Sequence, residues 1–286
     1  MAIAPFSYFL KRGLVLAVCL LALVPQSAGA QSRVASVFLC TDEYLFRLLP
    51  RQRIAALSFL AADRYPVVST IVDQVEGIPL IPMSAEAVLA VKPDAVVLSE
   101  GTSAGVRRVL AAANIPVIDV PWANSLDDIR RITRALATRL GVAAEGENLI
   151  GEMDARLDAA RALAPRPPVS ALLYEPNGYS AAGPITSEVM AIAGVVNAAP
   201  ALSPTRQGTI AVETVVARAP ELLILNGRPG VVDSRARQML EHPALATLRA
   251  RTDRRWLSLT PLLCPGPWSA SAAEDLARAA NEARKE

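Results

Sequence analysis

Short apolar runs alternate with amphipathic stretches along residues 31–286, and this alternation predicts an α/β fold with central, mainly parallel sheets. Several runs are apolar at every position, as expected for strands that helices cover on both faces. Other stretches repeat apolar residues every three or four positions, as at Leu126, Ile129 and Ile132, which predicts amphipathic helices. The predicted strands are residues 34–39, 54–58, 95–99, 117–120, 169–174, 222–226 and 256–259.

An internal repeat divides this pattern into two similar halves. Residues 84–98 are SAEAVLAVKPDAVVL and residues 211–225 are AVETVVARAPELLIL, so that Glu86 aligns with Glu213. Each copy predicts a short helix that starts with an acid, ends near a proline and leads into a buried strand. A solenoid would repeat every 20–50 residues or so. The much longer offset here predicts two similar lobes with a ligand cleft between them.

Two helices are predicted between the lobes. Ser125 is a good N-cap for the first helix, and Gly141 ends it. The second helix runs over residues 143–163 and stops at Pro165. A helix of about 20 residues is about 30 Å long, so it can join the lobes as a stiff connector. We therefore expect the two lobes to move relative to each other by only a few degrees.

The first 30 residues have the pattern of a cleavable export signal. Lys11 and Arg12 precede an apolar run over residues 13–24, and residues 28–30 supply the small side chains that a signal peptidase requires. That run is too short to cross a bilayer, which takes about 20 residues. We therefore expect an exported protein of the periplasm. The predicted division is a signal peptide at 1–30, an N-terminal lobe at 31–124, a helical connector at 125–164 and a C-terminal lobe at 165–286.

Composition excludes several classes of function. The 29 basic and 27 acidic residues are scattered among one another, so no basic patch for nucleic acid forms. One histidine and three cysteines exclude most zinc enzymes and any disulfide-dense scaffold. We expect no cofactor, no resident metal ion and no nucleic-acid partner, and we expect a monomer.

Residues 31–286 resemble the periplasmic substrate-binding proteins of ABC importers, in particular the group that binds cobalamin, iron–siderophores and haem. The resemblance is carried by VASVFLCTDEYLFRLL, SAEAVLAVKPDAVVL and NIPVIDV in the first lobe and by SEVMAIAGVVNAA and TIAVETVVARAPELLIL in the second. It implies a binding protein rather than an enzyme. Such a protein captures a metal chelate or a tetrapyrrole-like ligand and delivers it to an inner-membrane ABC permease.

The resemblance also implies where the ligand is contacted. In this family the contacting side chains lie on loops after the carboxyl ends of strands, at the cleft between the lobes, as open α/β sheets generally arrange them. Aromatic residues are only 5% of the chain, and Ser99 stands where a cobalamin binder would carry a tryptophan, so the identity of the ligand stays open. The matching positions are Cys40, Thr41, Asp42, Tyr44, Arg64, Tyr65, Ser99, Glu100, Tyr174, Tyr179, Arg206, Arg228, Cys264 and Trp268.

The acid in each repeat copy has a further implied role. In the family it lies on the outer surface of a lobe and meets basic residues of the permease, and the matching residues here are Glu86 and Glu213. A single such glutamate is more simply explained by the helix dipole, which favours an acid at a helix N-terminus. Two of them at equivalent positions of two lobes favour docking on a two-lobed permease.

Two other functions are compatible with parts of the sequence. Residues 101–105 match the G-x-S-x-G pattern of a nucleophile elbow, and Ser103, Asp233 and His242 follow the chain order of an α/β-hydrolase triad. However, no oxyanion loop of the HGG type precedes Ser103, and an esterase needs one. The third interpretation is an exported sugar- or peptide-binding module without a transporter, in which Glu86 and Glu213 would have no docking role.

Cleavage of the export signal leaves two cysteines, Cys40 and Cys264, after the first and last predicted strands. Because the periplasm is oxidising, a disulfide between them is favoured. Such a bond requires Cα atoms within about 7 Å, and across the cleft it would clamp the lobes and partly block access of the ligand. The alternatives are two thiols that contact the metal chelate or two unrelated small apolar residues.

Overall fold

The structure, a computed structural model, describes residues 32–64, 68–102, 104–181, 183–203, 207–227, 238–250 and 252–285. The predicted signal peptide lies outside these residues. So do five residues that the sequence singled out for a site, namely Tyr65, Ser103, Arg206, Arg228 and Asp233. No helix within the described ranges is long and apolar enough to cross a membrane.

The N-terminal lobe is built on a five-stranded parallel sheet with the strand order β3-β2-β1-β4-β5. All residues of β1 and β2 are buried, because helices cover both faces of the sheet. The strands are β1 (Val34–Ser36), β2 (Ile54–Ser58), β3 (Leu80–Ile81), β4 (Ala95–Ser99) and β5 (Val117–Val120), and the helices are α1 (Leu39–Leu48), α2 (Ala85–Val91) and α3 (Ala104–Ala112).

The C-terminal lobe has a four-stranded parallel sheet with the order β11-β10-β6-β8 and a separate antiparallel pair, β7 with β9. Its strands are β6 (Val169–Tyr174), β7 (Tyr179–Ala181), β8 (Val195–Asn197), β9 (Gln207–Thr209), β10 (Leu222–Asn226) and β11 (Asp253–Leu257). Its helices are α6 (Pro184–Ile192), α7 (Ala199–Leu202), α8 (Val212–Arg218), α9 (Pro243–Ala246), α10 (Thr260–Leu263) and α11 (Ala270–Ala283).

The sequence repeat is a structural repeat. Helices α2 and α8 each have seven residues, and each ends in a residue of left-handed conformation, Lys92 with φ 47° and Ala219 with φ 43°. A proline follows each of these residues and prevents the helix from continuing. The predicted pair of similar lobes is therefore confirmed.

An acid after each proline connects two strands of its sheet. Asp94, just before β4, accepts a hydrogen bond of 2.7 Å from the backbone N–H of Arg33, just before β1. Glu221, just before β10, accepts one of 2.8 Å from the backbone N–H of Ser170 in β6. In both lobes the repeat thus fixes the same strand pairing, because β4 lies beside β1 and β10 lies beside β6.

Helices α4 (Leu126–Arg139) and α5 (Ala143–Leu163) follow the first sheet and precede the second. Ser125 caps α4 as predicted, since its side chain accepts the backbone N–H of Asp128. Helix α5 packs against both α4 and α11. One hydrophobic cluster runs from α1 through α5 into β6 and α11, so a continuous core connects the two sheets. The exact division at residues 124 and 164 stays a prediction.

Two strand predictions need correction. The first strand ends at Ser36 and not at residue 39, because the carbonyl of Phe38 already accepts the N–H groups of Thr41 and Asp42 and begins α1. Because residues 37–39 are also apolar, the sequence pattern did not show that the strand ends at Ser36. The last strand is Asp253–Leu257 rather than 256–259. This strand lies at the edge of its sheet and is half-buried throughout, so it contains arginines and lacks the apolar pattern used for the prediction. The other five predicted strands are confirmed with their bounds.

Candidate functional site

Three aromatic side chains follow the carboxyl ends of strands in the N-terminal lobe. Phe38 follows β1, Phe59 follows β2 and Trp122 follows β5. Trp122 and Phe59 are 48% and 49% exposed, so each presents an aromatic face to solvent. The ring of Phe38 packs edge-on against Trp122, with 6.3 Å between ring centroids. We call Phe38, Phe59 and Trp122 the aromatic edge, because the carboxyl ends of parallel strands meet at one edge of the sheet, where ligands bind.

Sequence reasoning missed the aromatic edge. The first predicted strand extended through Phe38, which placed the candidate contacts two or more residues too late, at Cys40 and beyond. The available signal was Trp122, an aromatic residue that belongs neither to β5 nor to the helix that begins after Ser125. An aromatic residue in such a short loop has no element to pack into, so its exposure could have been inferred.

The corresponding edge of the C-terminal lobe is polar. Glu175 follows β6 and Asn226 ends β10. The side-chain amide of Asn226 donates to a carboxylate oxygen of Glu175 at 3.2 Å, and its oxygen accepts the N–H of Leu259. Burial raises the pKa of Glu175 above its ordinary value, while the bond from Asn226 lowers it. The carboxyl edge of this sheet is therefore polar at Glu175 and Asn226, whereas the aromatic edge of the N-terminal lobe is apolar.

Several predicted ligand contacts lie instead inside the core. Thr41 and Asp42 belong to the first turn of α1 and are fully buried. The Thr41 hydroxyl shares a hydrogen bond of 2.6 Å with Ser36, and Asp42 accepts the backbone N–H of Ser58 at 3.0 Å as well as its hydroxyl. These polar groups fasten α1 to the ends of β1 and β2. Their assignment as ligand contacts is corrected, because no surface of either residue reaches the cleft.

The two predicted tyrosines at positions 44 and 174 are also buried. Tyr44 packs edge-on against Trp268, and the Tyr174 hydroxyl donates to the carbonyl of Ile210 at 2.8 Å. Burial raises the pKa of Tyr44 and of Tyr174 to about 12. Neither phenol is available to a ligand, so both assignments are corrected.

Cys40 and Cys264 form a disulfide with Cα atoms 5.0 Å apart. Both belong to the hydrophobic core that connects the sheets, with exposed fractions of 8% and 5%. The indole N–H of Trp268 donates to the carbonyl of Cys264 at 2.8 Å, so Trp268 belongs to the same buried contact. The bond therefore does not cross an open cleft, and ligand contact by Cys40, Cys264 and Trp268 is corrected as well.

The remaining predicted contacts that the structure describes differ in exposure, and only Ser99 among them is buried. Arg64 forms a surface ion pair with Asp73. Ser99 ends β4, and its carbonyl accepts the Thr102 hydroxyl at 2.7 Å. Glu100 is exposed and Tyr179 is half-buried. Ligand contact by Arg64, Ser99, Glu100 and Tyr179 stays a prediction.

The two repeat glutamates occupy equivalent exposed positions. Glu86 is the second residue of α2 and Glu213 is the second residue of α8. Hydrogen bonds from its own backbone N–H and from Ser84 hold the pKa of Glu86 below its ordinary value, so this carboxylate is ionised at neutral pH. Two matched acidic side chains, one on each lobe, are thus presented to solvent.

The esterase interpretation is not supported. His242 is exposed, and its Nδ1 accepts the backbone N–H of Ala244, which makes it the cap of α9 rather than a general base. Ser103 and Asp233 lie outside the described residues. The histidine before a proline at a helix start is therefore explained by helix capping.

Asp42 makes the stability of the fold depend on pH. Burial raises its pKa from the ordinary 3.8 to about 7, so between these values the folded chain holds a proton that the unfolded chain releases. The free energy of unfolding should then fall as pH rises from 5 to 7, by roughly 1 kcal/mol per pH unit from this group. Asp42→Asn should remove this contribution, because an amide can accept the N–H of Ser58 and donate to its hydroxyl.

Urea titrations of the wild type and Asp42→Asn at pH 5, 6, 7 and 8 measure this difference. We expect the variant to gain stability relative to the wild type as pH rises. The comparison cancels the contribution of Glu175, whose pKa burial also raises. Parallel pH profiles of the two proteins would show that Asp42 is ionised in the folded state.

The sequence was compared with the profiles of known protein families and with curated proteins. The sequence profile of a family described as periplasmic binding protein matches residues 70–261, more than half of the chain. Comparison by sequence with curated proteins gives no match.

Three solved structures with a similar fold are described here by their sequence identity and TM-score to this chain. The periplasmic haem-binding protein RhuT from Roseiflexus sp. RS-1 is 25% identical, with a TM-score of 0.72 over 88% of this chain and 99% of its own. The periplasmic haem-binding protein BhuT, in complex with two haems, is 22% identical, with a TM-score of 0.70 over 88% and 98%. The periplasmic vitamin B12 binding protein BtuF of Vibrio cholerae is 17% identical, with a TM-score of 0.66 over 89% and 98%.

Proposed function

Because the chain belongs to the periplasmic binding protein family, we propose that it captures a metal chelate with a large planar apolar face and delivers it to an ABC permease of the inner membrane. Haem is the first candidate for this ligand, and a corrinoid such as cobalamin is the second. The observation that carries the proposal is the aromatic edge, which exposes Phe59 and Trp122 where the strands of the N-terminal lobe end.

A planar macrocycle suits the aromatic edge for a physical reason. Burying apolar surface contributes about 25 cal/mol per Å², and an aromatic pair adds about 0.5–1.5 kcal/mol when rings are offset-stacked or edge-to-face. Phe38 holds Trp122 edge-on, which limits the freedom that the indole would lose on binding. A flat ligand therefore gains more from this surface than a small sugar or an amino acid would.

The polar edge of the C-terminal lobe complements this surface. Glu175 and Asn226 hold each other in place, and half-buried Tyr179 lies in the adjoining strand β7. A metal macrocycle carries polar substituents at its rim, and such substituents need hydrogen-bonding partners when they are buried. Arg206 and Arg228 remain proposed partners for carboxylates of the ligand.

Delivery is proposed to use Glu86 and Glu213. They are two matched acidic positions on two similar lobes, as a permease with two similar halves requires. Complementary charge accelerates encounter and fixes orientation rather than supplying most of the affinity. We propose that the mature protein is a monomer of the periplasm and that it binds without catalysis.

A titration panel tests the proposed function. Ferric haem, cobalamin, a ferric hydroxamate siderophore, a sugar and an amino acid are each added to the mature protein, and intrinsic fluorescence and thermal unfolding are recorded. We expect saturable one-to-one binding of a metal macrocycle with an increased Tm. Binding of the free sugar or amino acid, with no response to any chelate, would contradict the proposal.

Trp122→Ala should weaken binding of the macrocycle by about tenfold or more, because each 1.4 kcal/mol lost is tenfold in Kd. Trp122→Phe should recover most of the affinity, since it keeps an aromatic face. Leu163→Ala is a matched control, because Leu163 is also a partly exposed apolar residue but lies at the end of α5. If the wild type and Trp122→Ala bind the macrocycle with equal affinity, the aromatic edge is not part of the binding site.

A further inference from the structure

Four polar side chains are fully buried where β1 and β2 end and α1 begins. Ser36 is the last residue of β1, Ser58 is the last residue of β2, and Thr41 and Asp42 lie in the first turn of α1. A carboxyl group is almost never buried this completely unless it has hydrogen-bonding partners. We call Ser36, Thr41, Asp42 and Ser58 the Asp42 cluster.

Asp42 holds the residue that precedes Phe59. One carboxyl oxygen of Asp42 accepts the backbone N–H of Ser58 at 3.0 Å, and the other accepts the Ser58 hydroxyl. A single side chain thus binds both donors of Ser58 at the point where β2 ends and a short helical turn, Phe59–Ala62, begins. The direction in which Phe59 leaves the sheet therefore depends on Asp42.

The same cluster holds Phe38. The Thr41 hydroxyl donates to the carbonyl of Phe38 at 2.8 Å, and the Ser36 hydroxyl lies 3.2 Å from the same oxygen. Ser36 is also hydrogen-bonded to Asp42, whose backbone N–H donates to the carbonyl of Phe38 at 2.9 Å. The backbone of Phe38 is thus fixed by the cluster, and its ring packs edge-on against Trp122.

Burying a carboxyl group at this position is costly. Burial raises the pKa of Asp42 to about 7, although hydrogen bonds with Ser36 and Ser58 lower it. Replacing a buried hydrogen-bonded group and its partners with apolar groups of the same shape can be nearly neutral for stability. Polar groups that are retained in a core at such a cost are expected beside functional sites.

We infer that Asp42 is a positioning residue of the ligand site, which sets the orientation of Phe38 and Phe59 in the aromatic edge. Asp42 is fully buried, so it acts through these two rings and touches no ligand itself. A carboxyl group suits this role because its two oxygen atoms can hold groups at the ends of two neighbouring strands, β1 and β2. The effect on affinity rests on the proposed function, whereas the effect on the rings of the free protein does not.

The fluorine spectrum of the free protein tests the positioning. Tryptophan is replaced biosynthetically by a fluorinated tryptophan, the resonance of Trp122 is assigned by its absence in Trp122→Phe, and Trp256 in the other sheet is the internal reference. Asp42→Ala should shift or split the Trp122 resonance, because displacement of the Phe38 ring changes the ring current at the indole. Asp42→Asn should restore the wild-type resonance, since an amide can replace both hydrogen bonds with Ser58.

The same variants are titrated with ferric haem and with cobalamin. Asp42→Ala should weaken binding of the preferred macrocycle about tenfold, because a displaced ring loses its contact with the ligand and about 1.4 kcal/mol corresponds to tenfold in Kd. Asp42→Asn should bind within about twofold of the wild type. Ser58→Ala keeps the carboxyl group and loses one donor, so it should weaken binding about threefold, and it replaces Asp42→Ala in the test if that variant does not fold.

Thr133→Val is the control for a loss of stability alone. Thr133 is as fully buried as Asp42, and its hydroxyl donates to the carbonyl of Ile129 at 2.7 Å within α4, so this variant also loses a buried hydrogen bond. Thr133 belongs neither to the Asp42 cluster nor to the aromatic edge. The variant should have a lower free energy of unfolding than the wild type, with the same Kd and the same Trp122 resonance.

The outcomes separate positioning from stability and from the choice of ligand. A folded Asp42→Ala variant with an unchanged Trp122 resonance or an unchanged Kd would overturn the inference. An equal loss of affinity in Thr133→Val would also overturn it, because the effect would then follow stability. A wild type that binds neither macrocycle would contradict the proposed function, while the fluorine spectra of the free proteins would still test the positioning of the rings.

Discussion

Uptake of the ligand is lost when Glu86 and Glu213 are both replaced by arginine, while its affinity for the purified protein stays within about twofold of the wild type. This is the expected result because both carboxylates are exposed at the second position of matched helices, and neither belongs to the aromatic edge that is proposed to bind the ligand. Reversing the charge on both lobes turns attraction toward basic permease residues into repulsion. Transport into cells that carry the permease, together with Kd of the purified protein, measures both quantities.

The control for this experiment is Glu145→Arg. Glu145 is also an exposed acid in the first turn of a helix, α5, but has no counterpart in the repeat. Glu145→Arg should leave uptake unchanged, because it removes the same kind of helix-dipole interaction but affects neither of the two proposed docking positions. Normal transport by the Glu86 and Glu213 double variant would show that the two glutamates serve only their own helices.

Removing the disulfide should cause the largest loss of stability. The bond joins residues 224 positions apart, and by the loop-entropy estimate a closed loop of this length stabilises the fold by about 5 kcal/mol. Cys40→Ala with Cys264→Ala should therefore lower the free energy of unfolding in urea by several kcal/mol. The reduced wild type, unfolded in the presence of dithiothreitol, should agree with the double variant.

Mass spectrometry after alkylation provides the check on this prediction. The native protein should take up no alkyl groups at Cys40 and Cys264 until it is unfolded and reduced. Two alkylated thiols in the native protein would contradict the disulfide, and a variant as stable as the wild type would contradict its contribution to folding.

The two-lobed α/β architecture could be predicted from the sequence because it depends on patterns that are local in the chain. Buried parallel strands are mostly apolar, as β4 and β10 are at every position but the last, and the proline after α2 and α8 marks where each helix stops. Two copies of one pattern then predict two lobes without any knowledge of their contacts. Strands of two or three residues, such as β3 and β8, are too short to carry such a pattern.

The candidate site was much less predictable, because it depends on where each strand ends and which way its next residues turn. A difference of three residues at the end of β1 moved Thr41, Asp42 and Tyr44 from an expected loop into a buried helix face. Trp268 was an attractive cleft residue in the sequence, but its partner Tyr44 is 224 positions away and no local pattern reveals that contact. Long-range packing therefore decided which aromatic residues are free for a ligand.

Native mass spectrometry of the mature protein, mixed with equal amounts of ferric haem, cobalamin, a ferric hydroxamate siderophore, a sugar and an amino acid, shows directly which class of ligand the protein selects. The dominant complex should contain one metal macrocycle, and Trp122→Ala should reduce the share of that complex. A dominant complex with the sugar or the amino acid, or a protein that leaves all the chelates unbound, would contradict the proposed function.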